Sequence, residues 1–322
     1  MILSVSRRTD IPAFYTEWFF NRLKEGYALV RNPMSYHQVS RIKLSPDVID
    51  CIVFWTKNPA KMLDKLNLLK DYNYYFQITV NPYDRQIERN VPDKEQVVES
   101  FVKLSQLIGK KRTVWRYDPI FFTNRFDLEY HSKSFNKLAS KLKGHTERCI
   151  ISFIDVYKKS ERNIKQLNLA AVSERQMIET GKVFSEIAAR YGMKVATCSE
   201  YIDLSPFGIE HAKCIDDRLI SEITGESIIV KKDKNQRNVC GCVQSIDIGA
   251  YNTCHHGCIY CYANFSGNSV DNNVLKHDPK SPMLIGSVEP DDIIRERKTE
   301  SYRDMDCIRK KGQRRKKPPV VE

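Results

Sequence analysis

The sequence predicts an α/β protein: a parallel sheet covered by helices and arranged as a full or partial (β/α) barrel of the TIM type. Three observations carry this expectation. Short apolar runs of strand length alternate with helix-period segments along most of the 322 residues. The runs are almost continuously apolar, as strands buried on both faces are. Six of them end in polar or charged residues at the same relative place, as the carboxyl rim of a barrel requires. A doubly wound open sheet is the alternative. No fixed-length repeat and no glycine-rich phosphate loop interrupts the pattern.

The first strand is Ile2–Ser6, ending in Arg7-Arg-Thr-Asp10. Pro12 suits the start of the helix that follows, Trp18, Phe19 and Leu23 share one face, and Gly26 stops it. Residues 27–48 read as irregular, with a turn at Val30–Pro33. Cys51–Trp55 is the second strand. Asn58 then caps a helix with Pro59 at its first position and a Met62, Leu66, Leu69 stripe. Tyr74–Val80 is the third strand, and Asp93 with Gln96 gives a capping box for a helix running to Gly109. Thr113–Asp118 and Cys149–Asp155 are the fourth and fifth strands, separated by a helix over Asp127–Leu142. Ser173 and Gln176 box another helix, closed by Gly192 before the sixth strand, Lys194–Glu200. A short helix over Asp216–Thr224 precedes the seventh strand, Ser245–Tyr251. The expected organisation is a barrel body over 1–235, a cysteine-rich region over 236–270 that completes it, an extension over 271–305, and a basic, disordered tail over 306–322.

Composition narrows the class. Apolar content of 41% and charged content of 29% are those of a soluble globular chain. No apolar run approaches the ~20 residues of a bilayer span, and the opening residues lack a signal-peptide core. The expectation is a cytoplasmic protein without membrane contact, whose ten cysteines stay reduced. The net charge of +12 invites a nucleic-acid partner. However, Arg309, Lys310, Lys311, Arg314, Arg315, Lys316 and Lys317 supply seven of the 52 basic residues, leaving 45 against 40 acidic ones. The body is only mildly basic.

The chemistry concentrates in Tyr251-Asn-Thr-Cys-His-His-Gly-Cys-Ile-Tyr-Cys-Tyr-Ala263, where Cys254, Cys258 and Cys261 form a C-x3-C-x2-C array. Grouped thiolates ligate iron–sulfur clusters, four to a four-iron cluster, so three leave one iron open. The alternative is zinc held by the same cysteines with His255 or His256. With Tyr260 directly before the last cysteine, the array resembles the signature of radical S-adenosylmethionine (SAM) enzymes. Gly257 and Cys261-Tyr-Ala263 resemble the spore photoproduct lyase and DNA-repair photolyase branch. That resemblance implies a [4Fe–4S] cluster, SAM bound at the open iron, a reducing electron donor, and hydrogen abstraction from an unknown substrate, with nucleic acid favoured. Ser6-Arg-Arg-Thr-Asp-Ile-Pro12, Phe54-Trp-Thr-Lys-Asn-Pro59, Trp115-Arg-Tyr-Asp-Pro119 and Ser152-Phe-Ile-Asp155 resemble an uncharacterised bacterial family with such cysteines at its carboxyl end. That second likeness brings no activity.

Radical SAM enzymes carry the cysteine loop after the first strand, whereas here it follows the last. Circular permutation accounts for this if Ser245–Tyr251 lies beside Ile2–Ser6, since barrel neighbours need not be chain neighbours. There is no Gly-Gly-Glu string for the SAM amino group. The resemblance therefore places Ser6, Arg7 and Arg8, with Tyr260, as cofactor-binding candidates. An arginine would meet the SAM carboxylate, and Glu200 a ribose hydroxyl. From the rim, Lys57, Arg116, Asp118 and Glu200 are the catalytic candidates.

Cys198, Cys214, Cys240 and Cys242 could hold a second iron–sulfur cluster or a zinc ion, or be small buried side chains. Cys51 and Cys149 read as core, and Cys307 as uninformative. A metal-stabilised nucleic-acid-binding protein without catalysis is the functional alternative.

Overall fold

The structure is a computed structural model that describes residues 1–155, 161–167, 169 and 171–304. Cys307 and the basic tail lie outside the described residues. The strands are β1 (Ile2–Val5), β2 (Tyr27–Asn32), β3 (Ser35–Lys43), β4 (Cys51–Thr56), β5 (Tyr74–Thr79), β6 (Thr113–Ile120), β7 (Arg148–Phe153), β8 (Lys194–Thr197), β9 (Glu210–His211), β10 (Ile246–Asp247) and β11 (Ile293–Glu296). The helices are α1 (Ile11–Phe14), α2 (Thr16–Glu25), α3 (Lys94–Ile108), α4 (Leu128–Leu142), α5 (Glu161–Ile164), α6 (Glu174–Arg190), α7 (Asp217–Thr224) and α8 (Gly267–Val274).

Eight strands form one parallel sheet in the order β10-β1-β4-β5-β6-β7-β8-β9. Apart from β10, they follow chain order without a switch point. The predicted last strand does lie beside the first, with Leu3 opposite Ile246 and Ser4 opposite Asp247. No pairing joins β9 to β10 among the described residues, so the sheet is open. The described architecture is a mixed α/β fold with helices flanking a large parallel sheet.

Period-two alternation divides each strand between the two faces. Leu3, Val5, Ile52, Phe54, Phe76, Ile78, Trp115, Tyr117, Cys149 and Ile151 pack into the main core. Ile2, Cys51, Val53, Tyr75, Val114 and Ile150 form a second cluster with Cys214, Leu219 and Ile220. Burial on both faces explains why these strands read as unbroken apolar runs. Two strand steps toward the carboxyl ends, the second face turns polar, at Ser4, Gln77, Arg116, Ser152 and Cys198.

Some elements depart from expectation. Residues 27–48 are not irregular: β2 and β3 pair antiparallel, and β11 adds to β3 as a small second sheet. Its solvent-facing, charged pattern hid it, because only Val39 and Ile42 of β3 are buried. The segment after Pro59 is a 3₁₀ helix over Ala60–Leu69. The first helix breaks at Tyr15 into α1 and α2. Asp93 makes no capping hydrogen bond, because its carboxylate pairs instead with Arg85 at 3.0 Å. The Ser173–Gln176 capping box is formed as read. β10 is only two residues long, because Asp247 turns inward to bind β1.

Candidate functional site

The cysteine loop leaves the carboxyl end of β10 and is fastened to the sheet at three points. Asp247, which the sequence reading missed, fixes its entry. It accepts hydrogen bonds from Ser4 Oγ (2.8 Å), Ser6 Oγ (2.7 Å), Arg7 N (2.8 Å) and Gly249 N (3.0 Å). An acid inside the apolar Ser245–Tyr251 run was the available signal. Gly249 follows because a Cβ there would stand 2.0 Å from Ser6 Oγ. Asp10 fixes the middle, accepting from Ala13 N (2.9 Å), Lys57 N (2.7 Å) and His256 Nε2 (2.8 Å).

The third fastening is the segment before α3. Glu88 bridges Cys258 antiparallel, Ile259 N donates to Ile87 O at 3.0 Å, and Asn90 N to His256 O at 2.9 Å. Asn90 Nδ2 also donates to His255 O at 2.7 Å. Gly257, at φ +62°, makes the turn that brings the loop against Arg89 and Asn90. Glu88 is itself a buried hub. It accepts from Lys57 Nζ (2.7 Å) and Asn81 Nδ2 (3.2 Å), and Lys94 and the Tyr260 hydroxyl also contact it. Burial alone would raise its pKa, but Lys57 and Lys94 outweigh that and hold it down at about 2. No periodic pattern marked Glu88, and sequence reasoning missed it.

Cys258 and Cys261 lie close enough to raise the pKa of Cys254, and Cys261 that of Cys258. Burial is the larger cause in all three and pushes Cys258 up to about 12. Such thiols are inert until a cation replaces their protons. Lys57 supplies positive charge toward Cys258 and Cys261. His256 Nδ1 is buried with no hydrogen-bond partner.

The other candidates gather on the polar end of the second sheet face. Arg116 donates to Cys214 Sγ at 2.7 Å, pairs with Asp118, and lies 5.3 Å from the Trp55 ring centroid. Asp118 also holds Ser152 and exchanges two hydrogen bonds with Asn81, at 2.7 and 2.8 Å. Glu200 accepts from Phe153 N at 2.9 Å, and burial raises its pKa to about 7. Arg7 faces Ser245 (3.4 Å) and Asp233 (3.7 Å). Arg8 reaches Gly249 O at 3.4 Å and the Tyr251 ring at 5.3 Å. Ser6 and Tyr260 are spent on Asp247 and Glu88, so both hold the loop in place. Cys198 and Cys214 stand 3.0 Å apart, sulfur to sulfur. Cys51 and Cys149 are core, as read.

Among the described residues, no three His, Cys, Asp or Glu side chains are already arranged to hold a metal ion. A cubane spreads its thiolates over separate irons, so its ligands need not converge on one point. The loop's donor set, Cys258 buried with Cys254 and Cys261 half-buried, beside Lys57 and without a fourth cysteine, fits such a cluster. A cavity of about 640 Å³ lies elsewhere, lined by Thr123, Arg125, Asp127, Gln176 and Glu179, with no cysteine in its lining.

Residues 2–263 match the family described as Domain of unknown function (DUF1848). The chain belongs to that family. No curated protein matches it. The DUF1848 match ends at Ala263, the last residue of the cysteine string, so the family's span includes both cysteine groups. No helix among its described residues is long and apolar enough to cross a membrane.

Proposed function

We propose that this DUF1848 protein is a radical SAM-type iron–sulfur enzyme, with Cys254, Cys258 and Cys261 as cluster ligands. We read its sheet as a circularly permuted partial barrel, opened between β9 and β10. The observation that carries the proposal is the placement of a three-cysteine loop at the carboxyl end of a strand paired to β1. Chain order without a switch point supports the barrel reading. When bound, a three-cysteine [4Fe–4S] cluster supplies the electron for reductive SAM cleavage and hence the means of abstracting a substrate hydrogen.

The chain's own residues position and screen this site. Asp247, Asp10 and Glu88 fix the loop at both ends and its middle, so the three sulfurs are held by a rigid frame. Lys57 offsets the thiolate charge. Arg8 stands at the loop entry, where it can meet a carboxylate, and Glu200 is a half-buried carboxyl that would hold a hydroxyl. Arg116 and Asp118 complete the polar face on which substrate would rest. Nucleic acid is the proposed substrate class, on the likeness of the loop and the basic tail. Anaerobic reconstitution, reduction and assay for 5'-deoxyadenosine test the proposal. No product from a protein with a full complement of iron and sulfide overturns it.

One observation favours the non-catalytic alternative. Asp10 holds His256 by Nε2, as carboxylates orient zinc-ligating imidazoles, and Nδ1 is left buried and free. A colourless protein with zinc that the His256→Ala change removes would decide for a metal-stabilised binding protein.

A further inference from the structure

The second cysteine group carries an inference that does not depend on the reading above. Cys198 follows β8, Cys214 precedes α7, and Cys240 and Cys242 precede β10, so three separate segments deliver four sulfurs to one face of the sheet. Cys198 Sγ and Cys214 Sγ are 3.0 Å apart. Cys242 lies near enough to Cys214 and to Cys240 for their side chains to bear on it. Cys240 in turn reaches the side chain of Ser199, next to Cys198, so the series bends back toward its start. None of the four is in a disulfide.

We propose that Cys198, Cys214, Cys240 and Cys242 are the four ligands of a structural metal ion of the zinc class, separate from the cysteine loop. Compactness decides against a cubane. A tetrahedral ion with metal–sulfur bonds of about 2.3 Å sets its sulfurs about 3.8 Å apart. Cys198 and Cys214 already touch and Cys242 neighbours both Cys214 and Cys240; no three of them yet surround one point, and side-chain rotation would close the set on binding. Four cysteines with no open position make a closed, structural site. The surroundings supply what four thiolates around a dication require. Arg116 donates to Cys214 Sγ at 2.7 Å, and Ile215 N donates to Cys242 Sγ at 3.4 Å. Arg7 adds positive charge toward Cys242. Trp55, packed against the same cluster beneath Arg116, carries a buried indole N–H with no acceptor. Binding displaces the thiol protons to solvent and involves no change of oxidation state. The ion would pin the end of β8 and the Cys240–Cys242 segment to the face that carries Arg116.

Elemental analysis of the full-length protein tests this. The wild type and the Cys254→Ala/Cys258→Ala/Cys261→Ala variant should each hold about one zinc per chain, as one closed site requires. The Cys198→Ser/Cys242→Ser variant should hold none. Iron with sulfide in the first variant, or no stoichiometric metal there, overturns the proposal. Should the Cys198→Ser/Cys242→Ser variant fail to fold, cobalt(II) exchange into the Cys254→Ala/Cys258→Ala/Cys261→Ala variant reads the site directly. Tetrahedral ligand-field bands with strong thiolate charge transfer support four-sulfur ligation, and their absence refutes it.

Discussion

The two cysteine groups are built in opposite ways. Cys254, Cys258 and Cys261 lie within eight residues, and backbone pairing with Ile87–Asn90 holds them in one loop. Cys198, Cys214, Cys240 and Cys242 come from three segments and meet only because the sheet and α7 bring them together. The first group is local, its sulfurs near enough to bear on one another. The second is assembled by the fold, and Cys198 and Cys214 touch. Spacing in sequence therefore identified the first group, and only tertiary structure completes the second. On the proposals above, the contrast also separates chemistries: three thiolates leave a cluster iron open for reaction, whereas four around one ion make a closed, structural site.

The largest expected effect breaks one group and spares the other. Cys258→Ala should abolish iron binding and 5'-deoxyadenosine formation, while zinc content stays at the wild-type level. Iron, sulfide and zinc measured on the same sample check this. Loss of both metals together would mean the groups are one site, and the comparison fails.

The frame around the loop comes next. Glu88 is 1% exposed and faces Lys57, Lys94 and Tyr260. Glu88→Gln leaves two lysines without their carboxylate, and stripping one partner from a buried ion pair costs about 3–5 kcal/mol. Denaturant unfolding should show that loss, and iron uptake should fall while zinc is retained. An unchanged unfolding midpoint would show that Glu88 does not hold the loop.

These residues also show how far the sequence could be read. The parallel sheet, the Ser173–Gln176 box, and the adjacency of Ile2–Ser6 to the last strand followed from periodicity, capping chemistry and the permutation argument. Cys254, Cys258 and Cys261 followed from spacing. Glu88 did not, because it sits in a loop between Pro82 and Pro92 whose role comes from contacts with Lys57, Tyr260 and Cys258, far away in the chain. β2 and β3 were missed because their outward face is charged, which looks the same as a loop when read locally. Sheet closure was also beyond the sequence: apolar runs report burial, not whether the first and last strands meet.

A control that touches neither cysteine group comes third: His131 packs on Tyr83, one ring removed from Tyr260. His131 is fully buried, with its ring between Tyr117 OH (2.8 Å) and Phe121 O (2.9 Å). Burial lowers its pKa from 6.5 to about 4. Above pH 6.5 both folded and unfolded chains carry it neutral, so it imposes no penalty there. As pH falls from 6.5 toward 4, the unfolded chain takes up a proton that the folded chain refuses, and stability drops. The drop should reach about 3 kcal/mol, at 1.36 kcal/mol per pKa unit. Unfolding midpoints for wild type and His131→Gln across that range should diverge, with the variant's slope shallower. Parallel slopes would remove His131 from the account, and iron and zinc contents should not differ between the two proteins at neutral pH.

The smallest expected effect tests whether the loop's fastening is shared between many weak ties. Asn90 Nδ2 donates to His255 O at 2.7 Å on an exposed edge of the loop, and its backbone N–H separately holds His256 O at 2.9 Å. Asn90→Ala removes only the side-chain bond, worth about 1 kcal/mol. The backbone tie and the Glu88 hub remain, so global stability should hardly move, and iron should still bind at full stoichiometry. The rate of iron loss to a chelator should rise severalfold, since about 1 kcal/mol corresponds to that factor in an opening equilibrium. Zinc loss from the Cys198 group, measured in the same chelator series, should not change. If both metals leave faster, the loop and the fold-assembled group open together. The opposition between a locally hung site and a tertiary one would then give way to a single cooperative unit.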